Sequence, residues 1–106
     1  MLLTNNLYNT VSITKDILIV KLSSHSHPVF KAHFPKNPIL PGFLQIDILE
    51  SELKQTIKKI TKAKFLNLVK PEDTLEYKIK ELSPFKFKII TFNQNNVKVN
   101  ELQYEI

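Results

Sequence analysis

Cysteine is absent from the 106 residues, which excludes disulfides, thiolate metal sites and any cysteine nucleophile. Arginine is absent as well, and all 15 basic side chains counted in the chain are lysines. Sequence-specific readers of nucleic acid ordinarily depend on the guanidinium fork, so no nucleic-acid partner is expected. Glycine occurs once, at Gly42. A strand-rich chain usually places several glycines in left-handed turns, and here asparagine, aspartate and proline must serve instead. The longest aliphatic run, Ile17-Leu18-Ile19-Val20, falls far short of the roughly 20 residues that cross a bilayer. The opening residues Met1 to Asn6 lack the basic region and apolar run of a signal peptide, so a cytoplasmic protein without a membrane span is expected.

With 42% hydrophobic and 24% charged residues, the composition is that of an ordinary globular chain, and its length suits a single domain over 1–106. The net charge of +5 gives a basic surface, suited to solubility in general or to an acidic partner.

Tyr8 to Ile13 and Asp16 to Leu22 read as two strands of a hairpin, being rich in β-branched and aliphatic residues on either side of Thr14-Lys15. From Ser23 to Pro41 come four of the six prolines and all three histidines, His25, His27 and His33. That proline density points to a long ordered loop rather than helix or inner strand. A helix is expected from Gly42 to about Ile60, because Phe43, Ile46, Leu49, Leu53, Ile57 and Ile60 recur at spacings of three and four. Leu44 and Ile48 make its first half apolar nearly all round, which predicts burial. Lys54, Lys58, Lys59 and Lys62 gather toward its expected carboxyl end, where cations suit the helix dipole. Four partly alternating segments follow, Ala63–Val69, Thr74–Leu82, Phe85–Phe92 and Val97–Tyr104, separated by turn-forming residues. They predict a meander. The whole is an α+β domain whose antiparallel sheet curls around the helix.

His33-Phe34-Pro35, Pro38-Ile39-Leu40-Pro41-Gly42 and Gln45-Ile46-Asp47 together resemble the signature of the 3-hydroxyacyl-acyl-carrier-protein dehydratases. The likeness is nearest to the short dehydratases of aryl-polyene pathways, and weaker likeness continues through Lys64-Phe65, Val69 and Pro71 to Leu75. The resemblance implies a hot-dog fold with one long central helix. It implies dehydration of a (3R)-hydroxyacyl thioester, with His33 and Asp47 catalytic and Gly42, with Phe43, at the thioester oxygen. Phe34, Phe43 and Leu44 are acyl-tunnel candidates, although core is the safer reading of Leu44. No metal and no cofactor are implied. The partners implied are an acidic acyl-carrier protein and a second copy in a homodimer, or a larger or mixed assembly with a homologue, with His33 and Asp47 drawn from different subunits.

The chemistry suits those groups. A neutral histidine is a base near working pH, and an aspartate on an apolar helix is shifted toward its protonated, acid form. Amides at a helix start are natural donors to a developing oxyanion. Gly42 has a plainer reading as relief of crowding where loop becomes helix, and Gln45 a plainer one as a structural cap. Ala32 and Lys36 stand where the family often has glycine, which puts the loop geometry in question. Two other functions fit the same fold: an acyl thioesterase, or a catalytically silent subunit that binds acyl chains or an active homologue.

Overall fold

In the computed structural model, which describes residues 4–32 and 36–106, the chain forms six strands and two helices. The strands are β1 (Tyr8–Ile13), β2 (Ile17–Leu22), β3 (Lys59–Phe65), β4 (Thr74–Ser83), β5 (Lys86–Phe92) and β6 (Lys98–Glu105). The helices are α1 (Pro28–Ala32) and α2 (Gly42–Leu53). One sheet runs β1-β2-β4-β5-β6-β3, every pairing antiparallel.

The β1–β2 hairpin closes on Thr14, whose Oγ1 accepts the amides of Asp16 and Ile17 at 3.3 and 3.1 Å. The β5–β6 hairpin turns on Asn93, whose Oδ1 accepts the amides of Asn95 and Val97, with Asn96 left-handed at φ 59°. Asparagine thus does what glycine does elsewhere. Register irregularities interrupt the β1–β2, β3–β6, β4–β5 and β5–β6 pairings. Such bulges bend and twist strands, which lets a single sheet curl around a helix. On the enclosed face Leu18, Val20, Leu75, Tyr77, Ile89 and Leu102 meet Leu44, Ile48 and Leu49 of α2 in one buried cluster.

Four expectations change. The helix has 12 residues and ends at Leu53, so it is central but not long. Lys54 turns left-handed, and the amides of Lys54 and Gln55 bond back to Ser51 and Glu50, while the Glu50 carboxylate accepts the Ile57 amide at 2.7 Å. That clamp turns the chain at a point the apolar spacing does not mark. Leu53 and Ile57 both still pack against the core, which imitates a continuing helical face. Beyond the clamp the β-branched Ile60 and Thr61 extend as β3, so the strand begins at Lys59 rather than Ala63 and ends before Val69. Consequently Lys58, Lys59 and Lys62 lie outside the helix, and no basic residue sits in its last turn.

The third change is α1, inside the stretch read as loop. Pro28 begins it, at the first helical position, where the amide it lacks would have no intrahelical partner, and His27 caps it by accepting the Val29 amide on Nδ1 at 3.1 Å. Fourth, β3 does not sit beside β4 as the first strand of a meander. It crosses to the far side of β6 and forms an edge of the sheet.

Candidate functional site

Pro41 precedes α2 with φ −59° and ψ 150°, and no side chain caps the helix. The first amides bonded into it are those of Leu44 and Gln45, both to the Pro41 carbonyl. Among the described residues, no acceptor is given to the Gly42 or Phe43 amide. Two donors at the positive end of a helix dipole are therefore available to an oxygen.

The loop ahead of them is fixed from below by Gln45. This buried side chain donates from Nε2 to the Leu40 carbonyl at 3.2 Å and accepts Asn100 Nδ2 on Oε1 at 2.8 Å. The Tyr77 hydroxyl donates to the Gln45 carbonyl at 2.8 Å, and burial raises the Tyr77 pKa far above its ordinary value. The Leu40 amide donates to the Val69 carbonyl at 2.7 Å. Loop, helix and the segment after β3 are thus tied together in the core. Gln45 holds the loop in place from the core while its amide also pairs with Asn100.

The buried side of α2 is Leu44, Gln45, Ile48 and Leu49. Phe43, one helical turn before Asp47, is 51% exposed, and Asp47 is exposed too. The expectation of burial all round the first half is therefore corrected: within one chain Asp47 faces outward among uncovered apolar groups. Its carboxyl is nonetheless held above the ordinary aspartate range, first by loss of water around it and then by the charge of Glu50.

Leu44 is fully buried and belongs to the core. His33 and Phe34 lie outside the described residues, so the sites called on them have no geometry here. His27 is bound locally. Its Nε2 lies 2.8 Å from the Asn5 carbonyl and its Nδ1 accepts an amide, which uses both ring nitrogens within the fold. Among the described residues no cluster of three or more histidine, aspartate or glutamate side chains is arranged to hold a metal.

Phe65 is the residue that sequence reading passed over. A β-carbon built on Gly42 would stand 2.6 Å from Phe65 Cζ and 2.8 Å from each Cε, closer than such atoms ever pack. Gly42 has no left-handed φ, so crowding is its structural reason, and the Phe65 ring of β3 supplies crowding from outside the loop. In the sequence Lys64-Phe65 carries only a weak family likeness. An open groove of about 300 Å³ runs past this contact between the Ile39–Gly42 segment and Phe65–Val69.

An antiparallel sheet wrapped around a central helix defines a hot-dog protein. The dehydratase heterocomplex ApeI:P from Xenorhabdus doucetiae shares that fold, with a TM-score of 0.72 and 18% identity over 92% of this chain and 96% of that one. The PaaI protein of the E. coli phenylacetic acid degradation operon shares it at a TM-score of 0.64 and 12% identity, over 96% of this chain and 84% of that one. The sequence model of the ApeI-like family, described as ApeI dehydratase, matches residues 10–101. The chain belongs to the ApeI-like dehydratase family. It is also 33% identical to the 3-hydroxyacyl-[acyl-carrier-protein] dehydratase FabZ of Aliarcobacter butzleri, over 74% of this chain and 63% of the relative. With the FabZ of Nitratiruptor sp. the identity is 38%, over 59% of this chain and 55% of the relative. The chain thus spans less than two thirds of the length of these curated relatives.

Proposed function

We propose that the protein removes water from a (3R)-hydroxyacyl thioester carried on an acyl-carrier protein, giving the trans-2-enoyl thioester, in fatty-acid or polyene-type lipid biosynthesis. The observation that carries this reading is Asp47, an outward carboxyl with a raised pKa one helical turn beyond two amides that have no acceptor among the described residues. Membership of a dehydratase family supports it. In the reaction His33 takes the proton from the carbon beside the thioester carbonyl. The electron pair moves toward the carbonyl oxygen, where the Gly42 and Phe43 amides donate. As the carbon–carbon double bond forms, the carbon–oxygen bond at position three breaks, and Asp47 protonates the departing hydroxide. The His33 proton then returns to Asp47 through solvent. Each preorganised donor is typically worth roughly 3 kcal/mol at such an oxyanion.

The unit proposed is a dimer, with His33 of one copy brought to Asp47 of the other. Asp47 and Phe43 stand uncovered on α2, and β3 is an edge strand that exposes Ile60. Unpaired edges of this kind are ordinarily covered or paired. The neighbouring fold from Xenorhabdus is a heterocomplex, so a homologue in place of the second copy is the other arrangement to test.

The carrier is proposed to be drawn by the sheet's outer face. By register Lys21, Lys59, Lys62, Lys64, Lys78, Lys80, Lys86, Lys88 and Lys98 share that face with Glu76, Glu101 and Glu105. Nine lysines against three glutamates leave a surplus of six, while the rest of the chain carries six lysines against seven carboxylates. The positive charge is therefore confined to one side, which favours encounter with an acidic protein.

Mass spectrometry of a panel of 3-hydroxyacyl-carrier proteins after incubation tests the function. Loss of water from the acyl group is expected. Release of free hydroxy acid would instead make the protein a thioesterase, and an unchanged panel with bound acyl chain would make it a silent subunit.

A further inference from the structure

The ring of Phe65 points end-on at Gly42, its Cζ and both Cε atoms filling the space a side chain would take there. Pairing of Phe65 with Asn100 sets its side chain on the face toward α2, because Asn100 reaches Gln45 of that helix. The ring is therefore directed at the helix start and not along the β3 edge where a second copy would pair. A core residue in that position would be covered, yet Phe65 is 46% exposed. Its tip lies against Gly42, whose amide has no acceptor among the described residues, and Phe65 lines the groove between Pro41 and Leu68.

We propose that Phe65 is a specificity-determining residue that limits what the carbon next to the thioester carbonyl can carry. The assignment rests on the reading that the Gly42 and Phe43 amides receive the thioester oxygen. An oxygen bound there places the adjoining carbon within reach of whatever packs on Gly42, and that is the Phe65 ring. An unbranched chain presents only hydrogens at this carbon, one of which the reaction removes. A methyl group in place of the other must compete with the ring for room. Dehydration of the methylated substrate still balances, since one hydrogen remains to leave with the hydroxyl group as water.

The test compares kcat/KM of the full chain for N-acetylcysteamine thioesters of (3R)-hydroxybutyrate and its 2-methyl derivative. Wild type should prefer the unbranched substrate. In Phe65→Ala the ratio should move toward the methylated one by roughly tenfold or more, the scale on which pockets discriminate one methyl-sized group, and Phe65→Leu should move it part of the way. Phe65→Leu also keeps the test decisive if the alanine variant folds poorly. An unchanged ratio in active variants overturns the assignment, even if both rates fall together, because equal loss is what a purely structural role predicts. Wild type that is folded but dehydrates neither thioester nor a carrier-bound substrate would overturn the dehydratase reading, and the assignment with it.

Discussion

Two effects keep the Asp47 carboxyl protonated to higher pH than an ordinary aspartate, loss of water at α2 and the nearby charge of Glu50. A carboxyl with a folded-state pKa above its unfolded value opposes folding once ionised, so above that pKa Asp47 weakens the fold. Asp47→Asn should therefore leave the melting temperature at neutral pH unchanged or higher, while dehydration falls about a hundredfold or more, the lower end of general-acid contributions. A lower melting temperature with activity retained would assign Asp47 to the fold instead. Glu101 has the opposite sign. Hydrogen bonds from Lys62 and Lys98 hold its pKa below the usual glutamate range, with Nζ atoms at 3.1 and 3.3 Å. Its contribution is present above the unfolded pKa of about 4.3 and is lost as pH falls through the folded value. Acid titration of Glu101→Gln should accordingly show a shallower loss of stability over that range than wild type, converging with it at the lowest pH. Gln45 and Asn100 supply a third case: Asn100→Leu leaves the Gln45 Oε1 atom unpaired in the core and should cost about 1–3 kcal/mol in urea unfolding. At this scale the sequence marks Gly42 as special through its solitude, and Asp47 through an apolar neighbourhood. It does not show that Phe65 is what crowds Gly42 or that Asn100 is what holds Gln45, because those partners lie 23 and 55 residues away along the chain.

Element boundaries divide along the same line between local and distant causes. The β1–β2 hairpin and strands β4, β5 and β6 fall within a residue or so of where alternation and turn chemistry place them, since both signals are written into neighbouring residues. The end of α2 is not written that way. Its apolar spacing runs on through Ile57, and what stops the helix is a left-handed Lys54 together with the reach of Glu50 back to the Ile57 amide. The crossing of β3 to the far side of β6 likewise depends on Ile60, Ala63 and Phe65 facing Tyr104, Leu102 and Asn100, partners that only the fold brings near. Left-handed backbone at a side-chain-bearing residue costs roughly 1–2 kcal/mol, part of which glycine returns in entropy. Lys54, at φ 54°, and Glu72, at φ 66°, are two such places in a chain that uses glycine only once. Lys54→Gly should therefore raise stability by about 0.5–1 kcal/mol, read as a higher urea midpoint with an unchanged slope. A loss of stability would mean that Lys54 contributes more through its side chain than it costs through its backbone.

The molecule as a whole separates its charge from the candidate site, with a basic outer sheet face on one side and the uncovered start of α2 on the other. If the basic face recruits the carrier, raising salt should depress kcat/KM on carrier-bound substrate while barely changing it on a short thioester mimic, because screening acts on the encounter and not on the chemistry. An equal salt response for both substrates would remove the acidic partner from the account. The exposure of Asp47 leaves room for the proposed second copy, whose His33 would complete the site. With His33 supplied by one copy and Asp47 by the other, His33→Ala and Asp47→Asn homodimers should each be folded and nearly inactive. Free exchange between equal amounts of the two makes about half of the dimers mixed, and the symmetry of an isologous pair then restores both residues to one of the two sites in each mixed dimer. Activity should recover to roughly a quarter of wild type. The measurement is dehydration rate after subunit exchange, with exchange itself followed by mass spectrometry of differently tagged copies. Exchange without recovery would place both residues in one chain's site, or remove one of them from the catalytic pair.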